Sequence, residues 1–170
     1  VFDNSQQVGK YASDIIGEYQ REFIRRKSIP NHIFTIRQIM EKYYEYDKEL
    51  HMVFVDFKQA YDIINRDQLW IALTNLGIPN KLVKMIKICN SNTFCKVRWQ
   101  GELSPHFEVK LGLKQGDALS PILFNLALEQ VVRDVGEDRL MELNKNITML
   151  AYADDVVILG NSRQEVGHTV

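Results

Sequence analysis

The chain has 170 residues, of which 45% are hydrophobic, 25% charged and 10% aromatic, a profile that speaks against disorder and allows a real core. No apolar run approaches the roughly 18 residues needed to cross a bilayer, so no membrane partner is expected. A net charge of −1 does not advertise a nucleic-acid binder in bulk, and two cysteines, Cys89 and Cys95, are too few for a disulfide scaffold or a four-ligand zinc site.

Residues 5–25 carry a weak helical pattern. Pro30 opens a stronger one, with Ile33, Ile36, Met40, Tyr43 and Tyr44 at helical spacing. The run from Leu50 to Val55 is short, apolar and β-rich, and is expected to form a buried strand ending on Asp56. Residues 67–76 predict a helix closed by Gly77, and Pro79 starts another with Leu82, Val83, Met85 and Ile86 on one face. Alternation in 94–99 and 107–111, around a loop with Gly101, predicts a hairpin. A polar loop from Gly112 to Asp117 leads to Ser120 as N-cap and Pro121 at the first helical position of a helix reaching about Val135. Thr148 to Tyr152 reads as a strand, Ala153-Asp154-Asp155 as a turn, and Val156 to Leu159 as the returning strand. The class expected is α+β, with helices packed on an antiparallel sheet. The first stretch, Val1 to Lys10, has no apolar signal core, and an intracellular setting, nucleus or cytoplasm, is expected. The chain starts on Val and is expected to be excised from something longer.

Charge is unevenly spread. Residues 81–114 hold seven Lys/Arg against Glu102 and Glu108, and residues 20–42 hold six against Glu22 and Glu41. Basic stretches are most often solvated faces, and a nucleic-acid surface is the sharper alternative. Three acids stand beside very apolar strands: Asp56, Asp154 and Asp155. An Asp-Asp pair is most simply a tight turn. The functional alternative is a hard-metal site, because Mg²⁺ takes few carboxylates and completes its shell with substrate phosphates. If the hairpin around Asp154 lies beside the strand ending on Asp56, those carboxylates converge at one rim, where two ions about 3.5–4 Å apart could serve phosphoryl chemistry. Rival chemistries lack their parts. No Gly-x-Ser-x-Gly turn or Walker loop is present, neither cysteine has a local base, and His32, His51, His106 and His168 have no ligand spacing.

Three segments carry a family likeness. Phe54-Val55-Asp56-Phe57-Lys58-Gln59-Ala60-Tyr61-Asp62 resembles the first catalytic motif of reverse transcriptases, the stretch from Gly112 to Asn125 the second, and Tyr152-Ala153-Asp154-Asp155 the third. Their order and spacing resemble the LINE-type, non-LTR retrotransposon branch, as does the segment His32 to Gln38. The resemblance implies a right-hand polymerase palm with part of the fingers, residues 1–48 belonging to the fingers and connecting part and 49–170 to the palm.

It also implies RNA-directed DNA polymerase activity, with a primer 3′-hydroxyl attacking the α-phosphate of a dNTP. Asp56 and Asp154 would bind two Mg²⁺ ions, with Mn²⁺ able to substitute; Asp155 would support the site, and the Phe57 carbonyl would complete a metal shell. Tyr61 would lie under the sugar and exclude a 2′-hydroxyl, plain core packing being its other reading. Gln115 and Gly116 would lie along nucleotide and template, and Trp99 is a packing residue before it is a base-stacking one. Implied partners are an RNA template, a DNA primer and dNTPs, with no protein partner indicated. The family's further fingers arginine would precede Val1, and its lysine motif and thumb would follow Val170. Glu22 and Arg26 stand where related elements carry glycine. A decayed, non-catalytic or merely RNA-binding copy is therefore the alternative reading.

Overall fold

The structure is a computed structural model that describes residues 4–17, 19–20, 29–135 and 149–169. Its elements in chain order are α1 (Asn4–Ile15), α2 (Ile29–Glu45), β1 (His51–Asp56), α3 (Arg66–Asn75) and α4 (Asn80–Asn90). Four two-residue strands follow: β2 (Phe94–Cys95), β3 (Arg98–Trp99), β4 (Glu102–Leu103) and β5 (Phe107–Glu108). Then come α5 (Ser120–Val135), β6 (Met149–Tyr152), β7 (Asp155–Gly160) and α6 (Arg163–Thr169). The expected α+β class holds. No helix among the described residues is long and apolar enough to cross a membrane. The described residues fall into two compact units, one drawn from Val1–Ala12 and Gln59–Ala127, the other from Ser13–Lys58 and Leu128–Val170.

The second unit is built on an antiparallel sheet of order β1-β7-β6. One face packs Ala151, Met149, Val156 and Ile158 with Leu128 and Val132 of α5 and Val166 of α6. The other packs Leu150, Val157 and Leu159 with Ile36 and Ile39 of α2. Burial on both faces explains why β6 and β7 read as continuous apolar runs rather than alternating ones. Each fully buried Leu, Ile or Val here contributes about 1.5–3 kcal/mol. β1 departs from the buried strand expected. Val53 and Val55 pack on the first face. Phe54, however, stays 72% exposed on this edge strand.

α1 also corrects the sequence reading, because it stops at Ile15 rather than running through 25. The Ile15 carbonyl accepts from the guanidinium of Arg133 at 2.9 Å, satisfying an end group of the helix from a distant element. Gln20 then forms an isolated parallel bridge with Ala151. Residues 21–25, with Glu22, lie outside the described residues, as do Arg26 and Thr148.

In the first unit the α3 boundaries follow local chemistry. The Asn65 side chain accepts from the amides of Asp67 and Gln68 at 3.0 and 3.2 Å. At the other end Gly77 has φ +83°; its amide donates to the Thr74 carbonyl and that of Ile78 to the Leu73 carbonyl. This is a Schellman ending, reinforced by the burial of both Leu73 and Ile78.

The hairpin expected over 94–111 is present, with a tighter tip and an interrupted ladder: β2 pairs with β5 and β3 with β4. Between them two residues, 96–97, oppose three, 104–106, and Pro105 has no amide to donate. Gln100 and Gly101, both at positive φ, make the tip. Among the described residues no element covers this arm, and Phe94, Val97, Trp99, Leu103 and Phe107 are all exposed.

Candidate active site

β1 runs apolar to its last residue, Asp56, and there the register sets Asp56 directly opposite Asp155, the first residue of β7. The expected adjacency of this strand to the 148–159 hairpin is therefore present, and Asp155, not Asp154, is the cross-strand partner of Asp56. Directly opposed residues in such ladders have Cβ atoms about 4.5–5.5 Å apart. Asp154 occupies the two-residue turn between Tyr152 and Asp155, which are themselves register partners. Ala153 enters that turn with φ +52°, a left-handed conformation for which a side chain costs about 1–2 kcal/mol.

Asp56 and Asp155 are exposed and Asp154 partly so. Among the described residues none of the three is in an ion pair. Phe57 follows Asp56 and is itself exposed. Among the described residues no three His, Cys, Asp or Glu side chains group into a self-sufficient metal cage. A pair of free carboxylates at a strand end, with a third in the adjoining turn, suits an ion that draws the rest of its shell from water and substrate phosphates. It does not suit a structural zinc.

The other sequence-derived residues belong to the first unit. Tyr61 stacks on Phe124 with ring centroids 4.8 Å apart and planes 26° from parallel, so a packing contact accompanies any further role. The loop carrying Gln115 and Gly116 is laid against the segment that carries Tyr61. The Gly112 amide donates to the Ile64 carbonyl and the Leu113 amide to the Tyr61 carbonyl, both at 2.8 Å. Gln115 donates through Nε2 to Asp62 Oδ1 at 3.3 Å. Gly116 has φ +83° with nothing within 4 Å of an added Cβ, so one side of the backbone stands open. Ser120, expected as an N-cap, sends its hydroxyl to the Lys114 carbonyl at 2.7 Å and ties the loop to the helix.

Sequence reasoning missed the residue that organises this loop. Arg66 donates through Nε to the Gly112 carbonyl at 2.8 Å. Through one terminal nitrogen it also reaches the Asn90 and Val109 carbonyls at 2.8 and 3.1 Å and Thr93 Oγ1 at 3.3 Å. A planar fork of donors can serve several backbone carbonyls at once, which an ammonium cannot copy. Its neighbour Asn65 signals a cap, but nothing local signals these partners.

The reverse transcriptase (RNA-dependent DNA polymerase) family model matches residues 6–170. The chain belongs to the reverse transcriptase family. It is similar to the Pol polyprotein of the type-2 retrotransposable element R2DM of Drosophila melanogaster, 24% identical over 85% of this chain and 14% of that protein. The R2 Pol polyprotein of Nasonia vitripennis is 25% identical over 94% of the chain and 16% of its own length, and one from Popillia japonica 26% over 75% and 21%. The chain thus spans a fifth or less of most of these relatives. Among solved structures it resembles apo telomerase from Candida tropicalis truncated from its C-terminal domain. The TM-score is 0.72 and the identity 16%, over 97% of this chain and 35% of that one. Telomerase from Candida albicans in complex with a TWJ fragment of telomeric RNA gives 0.70 at 14% identity, over 96% and 31%. These two likenesses show a reverse transcriptase fold of palm and fingers type.

Proposed function

We propose that this chain forms the palm centre of an RNA-directed DNA polymerase of a non-LTR retrotransposon, extending a DNA primer along an RNA template with dNTPs. The observation that carries the reading is the opposition of Asp56 and Asp155, with Asp154 in the adjoining turn. Asp56 and Asp154, with Asp155 and the Phe57 carbonyl as support, are the groups that would hold Mg²⁺. Bound there, the ions would lower the pKa of the attacking 3′-hydroxyl and steady charge on the phosphorus. The chain's own contribution is to present carboxylates on a rigid strand end backed by two packed faces. Exposed carboxylates that lack cationic partners keep their charge available for an ion. Tyr61, packed on Phe124, takes the role of sugar gate; Gln115 and Gly116 take that of nucleotide and template contacts, with Gly116 offering close backbone approach. The basic stretches 20–42 and 81–114 supply phosphate contacts, the dominant source of affinity for nucleic acid.

The test is primer extension on an RNA template, with this chain replacing the matching segment of a related, active Pol polyprotein. Mg²⁺-dependent extension is expected, and an Asp56→Asn, Asp154→Asn double variant should abolish it while melting as the parent does. Near-normal extension by the double variant would refute the metal role. A folded graft that never extends would instead favour a non-catalytic remnant.

A further inference from the structure

Gln20 is fully buried in the second unit and reaches the acidic turn. Its Nε2 donates to the Ala153 carbonyl at 3.3 Å. Alongside it the Ala151 amide donates to the Tyr19 carbonyl at 2.8 Å, so the segment is tied to β6 by backbone as well as side chain. Among the described residues Gln20 Oε1 is buried with no hydrogen-bond partner. A residue serving only to fill this space would carry no such unpaired acceptor, since an apolar side chain of the same length avoids the desolvation cost. What the carboxamide adds is its N–H, and it spends that on the residue at φ +52° immediately before Asp154. Left-handed alanine persists only where its surroundings over-determine it.

The segment bearing Gln20 is itself anchored. Glu129, buried on α5, accepts the Tyr19 hydroxyl at 2.6 Å and the Gly17 amide at 3.0 Å. Its other oxygen accepts from Arg133 at 2.8 Å. A Cβ on Gly17 would meet the Tyr19 ring at 2.5 Å, so only glycine leaves that ring where its hydroxyl reaches Glu129.

We propose that Gln20 is a positioning residue for the acidic turn. Its carboxamide, held in place by Glu129 through Gly17 and Tyr19, fixes the Ala153–Asp154 peptide and with it the aim of the Asp154 carboxylate. This rests on the polymerase reading, because only a metal-binding Asp154 needs a fixed aim.

Two variants separate the donor from the packing. Gln20→Met keeps the length and removes both polar atoms; Gln20→Glu keeps the shape and loses the N–H. Hydrogen exchange on the 170-residue chain requires no activity. Amides 152–156 are expected to exchange about tenfold faster in both variants, while those of Val53, Val55 and Leu73 stay as in the parent. Unchanged protection at 152–156 overturns the proposal, and so does equal loss across β1, which would mark a general packing role.

In the grafted polymerase, the Mg²⁺ midpoint for extension should rise on the order of tenfold, with primer–template affinity unchanged. A slower rate at an unchanged midpoint overturns it, since a folding defect lowers the amount of competent enzyme and not its metal demand. An unmutated graft that fails to extend removes the polymerase reading, and the exchange result still decides whether Gln20 holds the turn.

Discussion

Asp56 and Asp155 are register partners at the end of the β1–β7 ladder, two like charges facing each other across an antiparallel pair. Such opposition is destabilising by about 0.2–1 kcal/mol, and a fold selected for stability alone would not keep it. Asp155→Asn is therefore expected to stabilise the chain by about that amount, raising Tm by roughly 1–3 °C, while lowering extension in the graft. Thermal melting and primer extension read the two effects separately. A fall in Tm would contradict the repulsion argument.

Tyr61 makes a second, independent case. Removing its ring in Tyr61→Ala should cost about 2–4 kcal/mol in packing, because the stack on Phe124 goes with it. It should also raise ribonucleotide use relative to deoxynucleotide use, whereas Tyr61→Phe keeps the ring and should keep the ratio. Competition between rNTP and dNTP in single-nucleotide extension measures this, and a constant ratio in Tyr61→Ala sinks the gate.

Two glycines of the second motif should respond unequally. At Gly116 an added methyl meets nothing, so Gly116→Ala carries only the left-handed backbone penalty, about 1 kcal/mol. At Gly112 the same methyl would stand 2.6 Å from the Asp62 carbonyl oxygen on top of φ +79°. Gly112→Ala must displace backbone and should cost at least about twice as much. Urea unfolding of the two variants gives the comparison directly; equal losses would show that the Gly112–Asp62 contact yields easily.

Arg66→Ala is expected to cost about 2–4 kcal/mol, because it strips hydrogen bonds from the Gly112, Asn90 and Val109 carbonyls at once. Arg66→Lys should recover less than half of that, lacking the fork. Full recovery by lysine, read by the same urea titration, would mean that charge and not geometry matters here.

What was legible in the sequence follows from where each signal resides. The limits of α3 and the start of α4 were plain because Gly77 and Pro79 act on their own neighbours. β6 and β7 were plain because burial on both faces leaves uninterrupted apolar runs. The pairing of the 94–108 arm was legible in its alternation around Gly101, but its interruption, residues 96–97 opposite 104–106, was not, because that depends on how the two strands meet. α1 is shorter than its weak pattern suggests, and a carbonyl at its end is met by Arg133, 118 residues away. Distance in sequence also hid Arg66 and Gln20, whose partners lie up to 46 and 133 residues off. Asp56 and the two later aspartates were visible as residue types, but their meeting depends on a strand pairing that no local pattern encodes.

The left-handed Ala153 makes the acidic turn a filter on its own evolution. The residue is buried as well as strained, so a replacement must satisfy two conditions together. Valine and isoleucine fail both, since β-branching resists positive φ and the surrounding space is closed. Glycine meets both and relaxes the backbone, yet it adds conformations to the one peptide that must be held still. Alanine is the smallest side chain that still narrows the turn's freedom. Drift at this position is thus confined to a corridor between looseness and clash.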